Sequence, residues 1–199
     1  MAITTYSELK SAVTNWTHRA DLSSYADEFI DLTEAKLNRK LRMSEMESST
    51  SVAVTTADLS LPSGFLEMRD IFVSGSPDTI LEYVTPYQYE REITTETGKP
   101  RKYTMIADAI KLYPVGSYTI GMTYYKQITP LDGTNTSNWI LANYPDLYLN
   151  GVLYHAYMFV QNAEMAQMYG QLFNDQIDEM TRKNRRKTAS GAPLQVVAA

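Results

Sequence analysis

Residues 145–187 read PDLYLNGVLYHAYMFVQNAEMAQMYGQLFNDQIDEMTRKNRRK, and the reading of this stretch decides the fold. Pro145 suits the first turn of a helix, where no amide hydrogen is needed, and Asp146 follows at the positive end of the dipole. Leu149, Val152, Leu153, Ala156, Phe159 and Val160 then recur at three- and four-residue steps. Beyond Asn162 the stripe resumes as Ala166, Tyr169, Leu172, Phe173, Ile177 and Met180. The stretch ends in Arg182, Lys183, Arg185, Arg186 and Lys187, cations at the end where a helix dipole favours them. The spacing predicts one long helix, or two helices with a bend near residues 162–164. An unbroken rod would run roughly 64 Å at ~1.5 Å per residue. That is more than a chain of 199 residues needs to enclose one core.

The chain before this stretch falls into two parts. Thr5-Tyr6-Ser7-Glu8 is a capping box opening a short helix with Leu9, Val13 and Trp16 on one face. A second helix is expected from about 25 to 42, started by Ser24 with Asp27, its apolar face being Phe29, Ile30, Thr33, Leu37 and Leu41. Its acids come early and its bases late, as the dipole prefers. From about residue 45 the period changes. Gly64, Gly75, Gly98, Gly116, Gly121 and Gly133 mark a turn-rich middle. Strands are predicted over 50–56, 66–73, 79–84, 101–106, 109–113 and 117–126, with a short helix over Pro86–Glu92 capped by Thr85 and Gln88. One further helical turn is predicted over 137–141.

The expected fold class is therefore α+β. A helical part (1–44 and 137–188) is formed by the N-terminal helices and the long C-terminal helix. An antiparallel β-rich domain (45–136) is inserted in it, and an extended tail (189–199) follows. Each helix has one apolar stripe to hide, so the helices should pack on each other. Nothing beyond residue 188 can bury itself, and that tail is small and apolar.

Composition narrows the function. The net charge of −5 creates no general attraction to nucleic acid. Absence of cysteine excludes disulfides and thiolate metal sites. The first residues lack the basic start and apolar centre of a signal peptide, and no apolar run reaches the ~20 residues of a membrane span. Asn15 and Asn135 match the glycosylation pattern by chance on this reading.

Catalytic chemistry is hard to assemble from these residues. His18 and His155 are the two histidines, and each stands outside any ligand cluster, which favours structural roles. Glu45 with Glu47, or Asp175 with Asp178 and Glu179, could form a hydrolase pair; a solvated surface explains them more simply. No phosphate loop, nucleophile elbow or zinc motif is present. The reading is of a structural protein, not an enzyme, with no cofactor and no metal.

Three features suit contacts with other proteins. The chain has 15 tyrosines, and Tyr83, Tyr87, Tyr89, Tyr103, Tyr113 and Tyr125 exceed what a small sheet would bury, so subunit or tail interfaces are expected there. The basic run from Arg182 to Lys187 suits an acidic protein surface, or alternatively phosphates. Leu194, Val196 and Val197 would anchor an extended segment on a partner.

Two blocks carry a family resemblance. Thr4-Thr5-Tyr6-Ser7-Glu8-Leu9 through Trp16, followed by Phe29 to Arg39 and Leu41-Arg42, resembles the N-terminus of head-to-tail adaptor (connector) proteins of tailed bacteriophages. Asn143-Tyr144-Pro145-Asp146-Leu147-Tyr148-Leu149-Asn150-Gly151 resembles the family's second hallmark. The order of helices, β insertion and long helix is similar to the tail tubular protein A type of short-tailed phages; the β region matches in kind only. The resemblance implies a virion protein at the head–tail junction, assembled in the host cytoplasm. It would form a ring of 12 copies under the portal protein, touch tail nozzle or fibre proteins, and line a channel through which double-stranded DNA passes without sequence-specific binding. The C-terminal segment, with Arg182–Lys187, would meet the portal. Alternatives are a DNA-binding or packaging accessory protein, and another virion part such as a head-completion or tail-terminator protein.

Overall fold

The computed structural model describes residues 3–93 and 96–189. It divides into two compact units, one of residues 1–45 and 128–199 and the other of residues 46–127.

The first unit is helical. Helix α1 spans Tyr6–Thr17. The Glu8 amide donates to Thr5 Oγ1 at 3.3 Å and the Thr5 amide to Glu8 Oε2 at 3.0 Å, which satisfies two amides that a bare helix start leaves open. The helix stops at His18, which takes the left-handed conformation (φ 53°). A 3-10 helix over Ala20–Tyr25 follows, and α2 spans Ala26–Lys40. Ser24 does not cap α2; its hydroxyl donates to the Asp21 carbonyl inside the 3-10 helix. Phe29, Ile30, Thr33, Leu37 and Leu41 are all buried, as the period demanded. Trp16, expected on the inner face of α1, is half exposed.

The chain returns to this unit at Ile128. Asn38 Oδ1 accepts the Ile128 amide at 2.9 Å, and Glu34 Oε1 accepts that of Leu131 at 2.9 Å. Asn138 caps the short α4 (Trp139–Asn143) through Oδ1, while its amide nitrogen donates to the Thr129 carbonyl and to Tyr148 Oη.

The decisive stretch is two helices, α5 (Pro145–Phe159) and α6 (Ala163–Ala189). Gln161 adopts φ 58°. Its amide donates to the Met158 carbonyl, and that of Asn162 to Tyr157 at 3.0 Å. This is the paired closure of a Schellman ending, with glutamine where glycine is usual. Asn162 Oδ1 then accepts the Met165 amide and starts α6. The two helices fold back on one another. Asn150 donates to Gln176, and Gln176 to Asp146. A Cβ on Gly151 would stand 2.5 Å from Thr33 Cγ2 and 3.0 Å from Phe173, and one on Gly170 would stand 2.9 Å from Tyr154. These glycines set how closely α2, α5 and α6 approach. The single-rod alternative is thereby excluded. Ala166, Tyr169, Phe173, Ile177 and Met180 are buried, whereas Phe159 and Leu172 of the expected stripe are exposed. Helix α6 also continues through Ala189, the first residue of the expected extended tail.

The second unit holds two four-stranded sheets. Strands are β1 (Glu47–Val54), β2 (Asp58–Ser60), β3 (Phe65–Val73), β4 (Thr79–Ile80), β5 (Glu82–Tyr83), β6 (Lys102–Ile106), β7 (Ala109–Tyr113) and β8 (Tyr118–Lys126). One sheet runs β1-β8-β3-β4 and the other β2-β7-β6-β5. All pairings are antiparallel except β5 with β6. Val54, Ile71, Val73, Ile120, Met122 and Tyr124 from the first sheet share one core with Leu59, Ile110 and Leu112 from the second. The predicted strand over 79–84 is split. The Leu81 amide donates to Ile71 in one sheet, and those of Glu82 and Val84 to Arg101 and Tyr103 in the other. The short α3 (Pro86–Glu92) carries the expected box: the Gln88 amide donates to Thr85 Oγ1 and the Thr85 amide to Gln88 Oε1.

Candidate functional site

The basic run lies on the last turns of α6, and Arg182, Lys183, Arg185, Arg186 and Lys187 are all exposed. Steps of three and four residues put Arg182, Lys183 and Arg186 around one shallow depression beside Glu179. Lys183 Nζ stands 5.4 Å from the Tyr144 ring centre, within cation–π range. Lys187 turns toward the start of the chain: its Nζ is 2.7 Å from Glu45 Oε1 and 3.1 Å from Ser44 Oγ. That hydrogen bond is the main cause holding the Glu45 carboxyl below its ordinary range. Asn184, between these cations, brackets the same residues. Its Oδ1 accepts the Ser44 amide at 3.2 Å, and its Nδ2 donates to the Arg42 carbonyl at 3.3 Å. Arg182, Arg185 and Arg186 have no acidic partner among the described residues. The end of α6 therefore offers three guanidinium groups outward and holds residues 42–45 inward. Leu194, Val196 and Val197 lie outside the described residues.

The six tyrosines separate by environment. Tyr83 and Tyr87 are exposed, Tyr87 by 71%. Tyr103 is half-buried and meets Tyr83 edge-on at 5.5 Å. Tyr113 is half-buried and donates to Glu96 at 3.2 Å, and Tyr125 is half-buried on β8. Tyr89 leaves this surface set. It is 3% exposed, because α3 packs against β6, and its hydroxyl reaches past that strand to donate to the Leu112 carbonyl of β7. Sequence reasoning missed Ile80, 78% exposed on β4, beside this aromatic segment. In the helical unit it missed Leu32, Met158 and Met168 and placed Trp16, Phe159 and Leu172 inward, yet all six are at least two-fifths exposed. Leu32, Met158 and Met168 each left a signal: they fall one step outside the apolar stripes of their helices.

The residues considered for chemistry are dispersed. His18 ends α1. The His155 imidazole is half-buried, with its Nε2 enclosed and without a hydrogen-bond partner among the described residues, and burial, followed by the charges of Lys36 and Arg39, lowers its pKa to about 4. Glu45 pairs with Lys187, Glu47 pairs with Arg69, and Asp175, Asp178 and Glu179 face solvent. No group of three or more His, Asp or Glu among the described residues could hold a metal. No helix among them is long and apolar enough to cross a membrane. An open groove between α1 and α5 is walled by Ile3, Ala12, Trp16, Ala142, Pro145 and Leu149. Its lining is mostly apolar, with Thr4 and Asn15 beside it, and its carboxylate, Asp146, is taken by Gln176. One buried acid stands apart from these. Glu34 Oε1 accepts from both Leu131 N and Tyr148 Oη, and burial raises its pKa to about 7.

A protein-family model described as SU10 adaptor protein matches residues 4–197. No curated protein matches the chain.

Proposed function

The chain belongs to the SU10 adaptor protein family, a family of bacteriophage structural adaptors, and from that premise we propose that it is a subunit of the ring joining the portal to the tail. The match over residues 4–197 carries this reading, because it spans both units and not one motif. Large apolar side chains left open on each unit support it, since they are what copies and neighbours would cover. The layout suits the tail tubular protein A type. On this reading twelve copies close a ring, and the helical unit meets the portal through the end of α6 and residues 190–199. The β unit, with Tyr83, Tyr87, Tyr103, Tyr113 and Tyr125, faces nozzle or fibre proteins, and the lumen passes duplex DNA. The net charge of −5 suits that passage, because a basic wall would hold DNA by counterion release. Acids, not Arg182–Lys187, should then dominate the lumen.

Electron-microscopic imaging of the virion tests the proposal through copy number and neighbours. A closed ring between portal and tail is the expected result. Location inside the capsid or at the tail tip would overturn it, and so would a continuous basic lumen for the DNA-passage part. Arg182, Arg185 and Arg186, without an acidic partner among the described residues, favour a second reading, an accessory protein that binds DNA. It requires salt-sensitive binding of duplex DNA by the isolated chain.

A further inference from the structure

The end of α6 grips the segment through which the chain leaves the helical unit. Asn184 closes on both sides of Met43, taking the Ser44 amide and giving to the Arg42 carbonyl. One turn later Lys187 takes the Glu45 carboxylate and the Ser44 hydroxyl. The β unit begins at Met46. Arg42, Ser44 and Glu45, three of the four residues before it, are thus held by two side chains of the helix that also carries the outward arginines.

These bonds suit exchange. The Lys187–Glu45 pair is solvent-accessible on both sides, with side chains 62% and 37% exposed, and exposed ion pairs add little stability. The two Asn184 bonds sit at the long end of the usual range. A carboxylate-rich segment arriving at Arg182, Arg185 and Arg186 meets three cations that have no acidic partner among the described residues. It then reaches Lys187, one residue beyond Arg186, in direct competition with Glu45.

We propose that the end of α6 is a latch read by an acidic protein segment: docking of partner carboxylates takes Lys187 from Glu45 and loosens residues 42–45. A partner bound at α6 is thereby reported to the start of the β unit. The proposal rests on the adaptor reading only for where the partner comes from, so an experiment on the isolated chain separates the two.

Amide hydrogen exchange at Ser44 in the full chain is the direct measure, with a decaglutamate peptide at low salt as probe. Saturating peptide should speed exchange at Ser44 by about two- to tenfold, the loss expected for one modest hydrogen bond. Glu45→Gln should show the faster rate without peptide, and peptide should change it no further. Asn184→Ala should lose the same protection while the circular dichroism of the chain stays unchanged. Unaltered exchange at Ser44 under saturating peptide overturns the latch. Failure of the peptide to bind, or release by a duplex DNA oligonucleotide and not by the peptide, overturns the assigned partner chemistry. Any of these results leaves the virion location of the protein to be decided by imaging.

Discussion

The Glu34 carboxylate accepts the Tyr148 hydroxyl at 2.9 Å inside the helical unit, and among the described residues no cation pairs with either group. Tyr148 is wholly buried, and the same Glu34 oxygen also holds the Leu131 amide. A carboxylate so placed has lost water and gained only two hydrogen bonds, so its neutral form is favoured. Asp31 and Asp132 push in the same direction.

The pH dependence of stability should therefore show two opposed slopes. Glu34 is raised from 4.5 to about 7, so its contribution is fully present below pH ~4.5 and is lost as pH rises through about 7. His155 is lowered from 6.5 to about 4, so its contribution is present above pH ~6.5 and is lost as pH falls through about 4. Between about pH 4.5 and 6.5 the two offset. Glu34→Gln keeps an oxygen for Leu131 and Tyr148 and removes one slope. Stability should then fall with acidification by on the order of 1–2 kcal/mol across that window. His155→Leu should leave the reverse slope. Urea unfolding at several pH values measures both, and parallel curves for all three proteins would refute the assignment.

Gly151→Ala should destabilise the helical unit although alanine is the better helix former by ~1 kcal/mol. The new methyl would meet Thr33 Cγ2 at 2.5 Å and two Phe173 ring carbons at 3.0 Å. Overpacking of this kind costs about 1–3 kcal/mol. Thr33→Ser removes the Cγ2 methyl and should recover part of the loss in the double variant. Thermal melts of the four proteins test the pairing; a stabilised Gly151→Ala would show that the helices separate freely.

In the β unit, surface and interior tyrosines should behave differently. Tyr87→Ser and Ile80→Thr change exposed positions and should leave the stability of the free protein within about 0.5 kcal/mol. Under the proposed function they should weaken joining to the tail. Tyr89→Ala empties a core site and leaves the Leu112 carbonyl without its hydroxyl donor, so a loss of about 3 kcal/mol or more is expected. Equal stability losses at positions 87 and 89 would contradict the division.

Deleting residues 190–199, beyond the last described residue Ala189, should leave the melting temperature unchanged and abolish attachment to the portal. A pull-down of portal protein by the shortened chain measures this. Full attachment would remove the tail from the proposed interface.

Much of the fold is legible in local chemistry. The boxes at Thr5/Glu8 and Thr85/Gln88 place the starts of α1 and α3 to the residue, because a cap is decided by four consecutive side chains. Alternation places β7 and β8 for the same reason. What escapes is whatever depends on partners distant in sequence. Gln161 gives no sign of a left-handed ending, since that position usually calls for glycine. β2 is three residues long and exists through its pairing with β7. The candidate surfaces are read less fully. The exposed cations of α6 follow from composition, but the grip of Asn184 and Lys187 on residues 42–45 spans about 140 positions of sequence. Helical periodicity also sends Trp16, Phe159 and Leu172 inward, because it records only that a side chain is apolar and not whether its cover belongs to the same chain.

The run from Thr79 to Val84 donates its amides first to one sheet and then to the other. It works as a shared hinge pin, so neither sheet has a complete set of strands without it. Recombination between relatives would have to carry residues 46–127 as a single cassette. A splice inside 79–84 would leave both donors and recipients with an open seam.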